Sequence, residues 1–266
     1  MRVLICGKSS YIGARTQRAL TKRGHTADAV SVRENGAAVD LFGYDAVIFC
    51  AALVHRKERK DEAALYDDIN RRLPADFATR AKTAGVGQFV FLSSWAIYGK
   101  NGAVGGECEI REDTEPAPVT LYGRSKLDAE LALTALSSPE FTVAVLRIPA
   151  VYGDGAPGNP ARLRKLARCC PIFPKADNRR GRVDAEALAV ALCAIVERRD
   201  GGTLHCCDGD LPSTSRIYAD LRAEMGKRTR LSPFLGKLVT AFGKRIGVVQ
   251  KLFGNLTIDE NLIYKV

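Results

Sequence analysis

The chain has 266 residues, of which 46% are hydrophobic and 26% are charged, and its formal net charge at pH 7 is +10. This length suits one large α/β domain or a domain with a small appendage, and the composition is ordinary for a water-soluble globular protein. The sequence has neither an apolar run long enough to span a bilayer nor a signal-peptide pattern at its start, so we expect a cytoplasmic protein without stable membrane insertion.

The basic charge and the eight cysteines do not by themselves indicate a function. No helix-turn-helix, zinc-finger or aromatic RNA-binding motif accompanies the charge, so we expect no nucleic-acid partner. A positive field that attracts a small molecule with a diphosphate is a simpler explanation. The cysteines lack a Cys-x-x-Cys pair and the histidines lack metal-ligand spacing, so we expect reduced thiols and no metal site.

The first predicted strand, residues 2–6, leads through a turn into a predicted helix over 14–23. The turn has the pattern Gly-x-x-Ser-x-x-Gly, with a serine where the middle glycine often stands. Such a turn holds a dinucleotide pyrophosphate, because free N–H groups and the helix dipole face its negative charge. An ordinary tight turn is the alternative. We predict that NAD or NADP contacts Gly7, Ser9, Ser10, Tyr11, Ile12 and Gly13.

The end of the second predicted strand, residues 27–32, bears on the choice between these two cofactors. An acidic residue there would bind the free 2′-hydroxyl of NAD. This chain has Arg33, which could pair with a 2′-phosphate, followed by Glu34, which would oppose it. We therefore lean slightly toward NADP, with a solvated Arg33 as the alternative. Asp40 and Leu41 follow where an adenine-contacting pair could lie.

The alternation of strands and helices continues to residue 147. The stretch between the second and third strands is too short for a full β-α unit, so we expect the sheet to be trimmed there. Strands alternating with helices at this spacing predict a doubly wound parallel sheet in an α/β fold. The further predicted elements are a strand at 44–50, a helix over most of 61–85 with a possible break near Pro74, a strand at 88–92, a helix at 122–136 and a strand at 141–147.

Tyr122 and Lys126 form a Tyr-x-x-x-Lys pattern on the predicted helix 122–136. Residues four apart share a helix face, so both side chains can point into one cleft. A neighbouring ammonium brings the pKa of a phenol, ordinarily about 10, toward neutral pH, which suits the proton transfer that accompanies hydride transfer. A serine in residues 91–99 could hold the substrate oxygen. The pattern alone occurs by chance, and its position after the glycine turn carries the hypothesis.

After residue 147 the alternation loosens into a glycine- and proline-rich loop followed by short helices and strands. We predict a dinucleotide-binding domain at 1–149 and a smaller substrate-binding region at 150–266 that interleaves with it. Residues 232–253 combine apolar residues with lysines and an arginine. Such a basic amphipathic stretch can lie on anionic lipid, but packing against the substrate-binding region is the interpretation we favour.

The chain resembles the extended short-chain dehydrogenase/reductase family, most nearly its NAD-dependent epimerase/dehydratase branch from bacterial capsule and exopolysaccharide clusters, which is UDP-glucose 4-epimerase-like. The resemblance implies a Rossmann-type fold. The segments that carry it are Gly7-Lys8-Ser9-Ser10-Tyr11-Ile12-Gly13, Cys50-Ala51-Ala52-Leu53-Val54-His55, Tyr66-x-x-x-Asn70, Phe91-Leu92-Ser93-Ser94, Tyr122-x-x-x-Lys126, Leu146-Arg147-Ile148-Pro149-x-Val151-Tyr152-Gly153, Gly158-Asn159-Pro160-x-Arg162-Leu163, Asp177-Asn178-Arg179-Arg180 and Phe253-Gly254-Asn255-Leu256.

The resemblance also implies roles for individual residues. Ser94 would be the triad serine, Tyr122 the acid/base, and Lys126 the residue that lowers its pKa and binds the nicotinamide ribose. It further implies a homodimer that pairs the helix within 61–85 with the helix that begins at Tyr122. The resemblance also places Ala51 and Ala52 along the adenosine and pyrophosphate path, Asn70 in support of the site's backbone and Pro149 by the nicotinamide carboxamide. It implies contacts with the substrate's nucleotide and diphosphate from Asn159, Arg162, Asn178 and Arg180. Each of these four could equally be a surface residue with no such role.

Two reactions fit these residues, and a third is disfavoured. The first is 4-epimerisation of a nucleotide-diphosphate sugar through a 4-keto sugar, and the second is NADPH-dependent reduction of a nucleotide 4-ketosugar. Sugar-nucleotide dehydratases of this family have an Asp-Glu pair directly after the hydroxyl residue. Trp95 and Ala96 stand there and cannot do acid/base work, which disfavours dehydration. A cofactor-binding scaffold without catalysis is a further alternative.

Overall fold

The computed structural model describes residues 1–32, 38–54, 56 and 58–266. Its central feature is a six-stranded sheet. The strands are β1 (Arg2–Cys6), β2 (Thr26–Val30), β3 (Ala46–Phe49), β4 (Gln88–Ser94), β5 (Thr142–Ile148) and β6 (Gly202–His205). They lie in the order β6-β5-β4-β3-β1-β2, and every neighbouring pair is parallel. The predicted doubly wound parallel sheet is confirmed. The strand β2 is its edge, in agreement with the trimming expected after it.

Some helices cover the two faces of the sheet, and others form a separate cluster. They are α1 (Tyr11–Lys22), α2 (Ala63–Asp67), a π-helical turn (Asp68–Arg72), α3 (Leu73–Thr83), α4 (Leu121–Thr134), α5 (Asn159–Cys169), α6 (Ala185–Arg198), α7 (Thr214–Glu224), α8 (Pro233–Phe242) and α9 (Gly247–Phe253). In β1, Val3 and Ile5 pack into the core under α1 and α6, whereas Leu4 and Cys6 pack into the core under α3 and α4. All four side chains are fully buried, which explains an unbroken apolar strand.

Two helix boundaries differ from the sequence-based expectation. The first helix begins at Tyr11 rather than at residue 14, because the Ser10 Oγ accepts a hydrogen bond from the Gly13 N–H (3.2 Å) and so caps the helix. The long helix of the 61–85 region is interrupted by the π-helical turn, and Pro74 then lies in the first turn of α3. Proline has no N–H to donate, so it is tolerated in a first turn, and the predicted break near it is confirmed.

The second half of the chain contributes to the main sheet and also forms a smaller cluster. Its strand β6 pairs with β5, and its helix α6 packs on the sheet. The remaining helices surround Phe173, whose ring stacks on Tyr218 with centroids 3.9 Å apart. Three short parallel ladders complete the fold: Glu109–Ile110 with Thr257–Ile258, Ala150–Tyr152 with Arg182–Asp184, and Ile172–Pro174 with Arg230–Ser232. The division at residue 149 stays a prediction.

Within the described ranges, none of the helices combines the length and the apolar character that a membrane span requires. Those ranges also contain no group of three or more His, Cys, Asp or Glu side chains that could hold a metal ion.

Candidate active site

A cleft of about 870 Å³ lies at the carboxyl ends of the central strands. The segments that follow β1, β2 and β3 and the ends of β4 and β5 all contribute to its wall. Ligands of open parallel sheets bind at this edge. The predicted site residues that line the cleft are Gly7, Ser9, Ser10, Tyr11, Ile12, Ala51, Ala52, Ser94, Tyr122, Lys126, Pro149, Asn159 and Arg180.

The glycine turn forms a cradle of bare backbone at one end of the cleft. A Cβ on Gly13 would lie 2.8 Å from the Gly7 carbonyl oxygen, and one on Gly7, at φ 129°, would lie 3.2 Å from the Ala51 nitrogen. Both positions therefore need glycine. Ser10 fits the middle position because its hydroxyl caps α1, whose first turn carries no acidic residue. This cradle and helix N-terminus suit the diphosphate of a dinucleotide.

The structure brings Ser94, Tyr122 and Lys126 to one wall of the cleft. Ser94 ends β4, Tyr122 lies in the first turn of α4, and Lys126 lies one turn further on. Ser94 lies near enough to Tyr122 to lower the pKa of its phenol. The Lys126 ammonium donates to the Leu92 carbonyl oxygen (2.6 Å) and lies 4.1 Å from the centre of the Phe91 ring. The geometry is that of a hydroxyl pair with a cation fixed beside it.

Burial dominates the pKa values of this group. It raises the pKa of the Tyr122 phenol to about 12, and the neighbouring Ser94 side chain opposes this only in part. It lowers the pKa of Lys126 to about 7, against the opposing charges of Cys50 and Glu130. The expectation that Lys126 brings the Tyr122 pKa toward neutral is therefore not met by the protein alone. Loss of hydration on burial is the largest cause of both shifts.

A carboxylate that sequence reasoning missed supports the start of α4. Glu58 Oε2 accepts from the Leu121 N–H (2.9 Å), and Glu58 Oε1 accepts from the Tyr122 N–H (3.2 Å). Thr120 Oγ1 accepts from the Gly123 N–H (3.0 Å). These acceptors satisfy N–H groups that a helix leaves unpaired, and the negative charge suits the helix dipole. Nothing in the local sequence around Glu58 signals this, since its partners are more than sixty residues away.

Asn70 ties the segment after β3 to α4. It is fully buried in the π-helical turn, and its Oδ1 accepts from the Leu53 N–H (2.7 Å). Its amide donates to the Leu53 carbonyl oxygen (3.2 Å) and to Ser125 Oγ (3.0 Å). Because Ser125 lies between Tyr122 and Lys126 in sequence, Asn70 occupies the supporting position that the resemblance implies.

A buried polar network lies behind α4, and sequence reasoning missed it too. The Glu130 carboxylate accepts from Ser93 Oγ and forms an ion pair with Arg147 (2.7 Å). The same guanidinium donates to the Tyr98 hydroxyl (2.9 Å), which lies 2.8 Å from His205 Nε2. Burial, and then the charge of Arg147, lowers the pKa of His205 to about 4. His205 is therefore neutral at pH 7.

Several predicted contacts do not line the cleft. Asn178 is buried, and its amide exchanges hydrogen bonds with Thr214 (both 3.1 Å). Asp40 caps the Phe42 N–H (3.0 Å) and Leu41 packs into the core, beside a separate shallow depression against α3. Gly13 and Arg162 are also outside the cleft wall, Gly13 because its part is to keep the turn tight. Arg33, Glu34 and His55 lie outside the described residues, although the neighbouring Ser31 and Val32 line the cleft.

The cleft is predominantly basic. Arg180 lines it, and its guanidinium donates to the Asn101 carbonyl oxygen (2.9 Å). No carboxylate among the described residues forms an ion pair with Arg180, whose pKa is lowered by burial. Three lysines that the sequence did not single out also line it, Lys8, Lys100 and Lys251, whereas Glu58 is the one carboxylate among the described residues of its wall. Such a surface favours an anionic ligand.

Comparison with known proteins agrees with this geometry. Residues 3–205 match the model of the NAD dependent epimerase/dehydratase family. The chain is 26% identical over 286 residues to a UDP-glucose 4-epimerase of Vibrio cholerae, a match that covers 97% of this chain and 87% of the relative. It is 28% identical over 174 residues to a dTDP-4-dehydrorhamnose reductase of Mycolicibacterium smegmatis, covering 62% of this chain and 51% of that one.

Among solved structures, a UDP-glucuronic acid 4-epimerase from Bacillus cereus in complex with NAD superposes with a TM-score of 0.72. The identity is 16%, and the match covers 96% of this chain and 95% of that chain. A likeness at this identity shows that the two chains share a fold.

Proposed function

The chain belongs to the NAD dependent epimerase/dehydratase family, and on this premise we propose that it is a nucleotide-sugar 4-epimerase acting through a transient 4-keto sugar. As a family member it is an NAD(P)-dependent enzyme of the sugar-nucleotide epimerase/reductase type. The observation that carries the reaction is the meeting of Ser94, Tyr122 and Lys126 in a cleft that begins at a bare glycine turn.

The chain's own residues account for the proton side of the reaction. The cofactor would, when bound, accept the hydride from C4 of the sugar and return it. Tyr122 takes the proton of the C4 hydroxyl as the ketone forms and returns it as the ketone is reduced on its other face. Ser94, which lines the cleft beside Tyr122, holds the same oxygen. Lys126, anchored on the Leu92 carbonyl oxygen, supplies positive charge when protonated.

The basic part of the cleft suits the substrate's diphosphate. Arg180 keeps donor capacity for an anion, and Lys251 and Asn159 line the same cleft. Charge-assisted hydrogen bonds from a guanidinium to phosphate oxygens are among the strongest that a site can offer. We therefore retain Arg180 and Asn159 as substrate-contacting residues of the proposal.

Dehydration does not fit this cleft. Trp95, which follows Ser94, is buried and packs over Gly181, where a Cβ would lie 2.1 Å from the indole. The Trp95 indole serves in packing, and neither Trp95 nor Ala96 has a side chain that can exchange protons with the sugar.

Reduction of a nucleotide 4-ketosugar is the second candidate. It uses the same three residues, and the similarity to a protein named dTDP-4-dehydrorhamnose reductase favours it. The basic Arg33 at the end of the second strand also favours NADPH, the cofactor that a reductase consumes.

One experiment separates these reactions. The purified chain is incubated with a panel of UDP-hexoses and nucleotide 4-ketosugars, with and without NADPH, and the products are identified by NMR. We expect a C4 epimer to form without net consumption of NADPH. Stoichiometric NADPH consumption with a 4-ketosugar would establish the reductase instead. The same panel with Tyr122→Phe is the control, since turnover that survives this change does not come from the proposed site.

A further inference from the structure

Residues 225–258, which we call the C-terminal basic segment, carry charged side chains that are all positive. Between Glu224 and Asp259 the chain carries lysines and arginines and no carboxylate. The cations are Lys227, Arg228, Arg230, Lys237, Lys244, Arg245 and Lys251. They are numerous enough to account for much of the net charge of +10. A field of this kind acts on a partner with extended negative charge.

Helix α8, within this segment, is apolar on two sides. Its inner side packs closely on the protein: Val239 joins the cluster around Phe173, and a Cβ on Gly236 would lie 2.0 Å from the Lys175 carbonyl oxygen. Its outer face consists of Phe234, Leu238 and Phe242, spaced four residues apart, with exposures of 69%, 39% and 67%. A helix that is apolar all round is normally covered on every side.

The exposed apolar surface continues past the end of α8. Ile246 is 50% exposed and Val248 is 69% exposed. Single exposed apolar side chains are ordinary, but five within fifteen residues of one segment mark an interaction surface. The cations Lys237, Arg245 and Lys251 are exposed beside them. An apolar face with a cationic border is the pattern of a surface that lies in the headgroup region of an anionic bilayer.

We propose that the outer face of α8, together with Ile246 and Val248, docks this protein onto an anionic lipid surface. The apolar side chains enter the boundary between headgroups and acyl chains, and the cations pair with lipid phosphates. A second copy of the chain fits this face less well, because a two-fold contact would set the same cations opposite one another. The docking is peripheral, since the segment does not span the bilayer.

Docking would bring the cleft to the lipid surface. Helix α9 follows the exposed segment directly, and its Lys251 lines the cleft. The Gly254 carbonyl oxygen, just after α9, lies 3.4 Å from a guanidinium nitrogen of Arg180, which lines the same cleft. The chemistry of the cleft therefore takes place a short distance from the membrane interface.

The test is co-sedimentation of the full-length protein with vesicles of phosphatidylcholine alone and of phosphatidylcholine mixed with phosphatidylglycerol. We expect binding to the mixed vesicles that weakens with added salt, and little binding to neutral ones. Phe234→Ser/Phe242→Ser should weaken partitioning about tenfold or more, because each ring contributes apolar surface. Phe42→Ser, at a ring that is 78% exposed elsewhere, is the matched control and should bind as the wild type does.

Two double variants that remove positive charge complete the test. Lys237→Gln/Arg245→Gln should reduce binding to anionic vesicles about tenfold, whereas Lys22→Gln/Lys265→Gln removes equal charge outside the segment and should reduce it less. Circular dichroism checks that each variant is folded. Equal losses in both charge variants, or binding by Phe234→Ser/Phe242→Ser equal to that of Phe42→Ser, would overturn the proposal. A fall in mass from dimer to monomer for Phe234→Ser/Phe242→Ser in light scattering would also overturn it, since the face would then bind a second copy.

Discussion

Burial acts in opposite directions on two titratable groups of the cleft. It raises the pKa of the Tyr122 phenol to about 12 and lowers that of the Lys126 ammonium to about 7, because each charged form loses hydration. The protein alone therefore favours the neutral phenol and weakens the cation beside it. Lys126 is then charged in only part of the molecules at pH 7.

The first prediction at this scale concerns Tyr122. We expect Tyr122→Phe to lower turnover by roughly 10²–10⁴-fold, the usual contribution of positioned proton transfer, while cofactor affinity stays nearly unchanged. Lys126→Ala should lower both turnover and cofactor affinity. Steady-state kinetics and cofactor titration provide the measurements, and Tyr44→Phe, remote from the cleft, is the control. Near-normal turnover in Tyr122→Phe would refute the triad.

The second prediction concerns Arg33, whose neighbours Ser31 and Val32 line the cleft. A guanidinium paired with a 2′-phosphate contributes about 1.5–3 kcal/mol, so Arg33→Ala should reduce the preference for NADP over NAD by about tenfold or more. Titration of both cofactors against wild type and variant measures the ratio. A ratio that does not change would mean that Arg33 makes no contact with the cofactor.

At the scale of elements, α4 is held in place by side chains from elsewhere in the chain. Glu58 and Thr120 satisfy its first N–H groups, and Glu130 fixes its inner side through Arg147 on β5. A helix N-terminus has unpaired donors, so a carboxylate there satisfies both hydrogen bonding and the dipole. Because Tyr122 lies in that first turn, the same contacts fix the direction of its side chain.

A third prediction follows for Glu58 as a positioning residue. We expect Glu58→Ala to lower the free energy of unfolding by about 1 kcal/mol and to lower kcat more than it changes cofactor affinity. Glu58→Gln should recover part of both losses, because an amide oxygen still accepts a hydrogen bond. Chemical denaturation and kinetics measure the two effects, and Glu115→Ala removes an exposed carboxylate as the control. Equal kcat in Glu58→Ala and Glu115→Ala would contradict this role.

The fourth prediction concerns His205 at the end of β6. Its pKa is about 4 in the folded state and about 6.5 when unfolded, so between these values the unfolded chain binds more protons. Stability from this group is therefore present above pH 6.5 and is lost as the pH falls to 4, by about 3 kcal/mol in total. His205→Gln should flatten the fall of the unfolding free energy over that window. An equal fall in both proteins would contradict the assignment.

At the scale of the whole molecule, the surface of α4 limits how two chains could pair. The sequence places four leucines in or just after this helix, at positions 127, 131, 133 and 136. Leu133 is fully buried, and Leu127 and Leu136 pack onto core clusters. Leu131 is the exception, with 65% of its surface exposed, and Leu65 on α2 is 39% exposed. The apolar part of a dimer interface on these helices would therefore centre on a few residues.

The fifth prediction is the homodimer itself. We expect the purified protein to be a dimer at micromolar concentration and Leu131→Arg to shift it toward monomer, since a buried unpaired charge opposes association. Light scattering measures the mass, and Val190→Arg, at another partly exposed apolar position, is the control. A monomeric wild type that retains full activity would refute the pairing.

Sequence reasoning could predict the features that depend on residues close together in the chain, but not those that depend on distant residues. The strand–turn–helix at the start, five of the six parallel strands and the pairing of Tyr122 with Lys126 depend on spacing along a few residues, and the structure has all of them; the sixth strand, Gly202–His205, lies in the region where the sequence pattern predicted no individual element. The expected lowering of the Tyr122 pKa was wrong for the protein alone, because burial depends on what surrounds the pair. The contact predicted for Asn178 also did not emerge, since its partner Thr214 lies far along the chain.

By itself, the sequence determined the parallel α/β fold and the cleft-facing pair on α4, because apolar periodicity, glycine turns and four-residue spacing act over short stretches of chain. Only the tertiary structure decided that Glu58 caps α4, that Glu130 pairs with Arg147 behind it, and that the outer face of α8 stays exposed. Each of these depends on which distant segments meet or fail to meet. Composition and local pattern carry little information about contacts between separate elements, from 17 residues apart for Glu130 and Arg147 to 64 for Glu58 and Tyr122, and the cleft's electrostatics are built from such contacts.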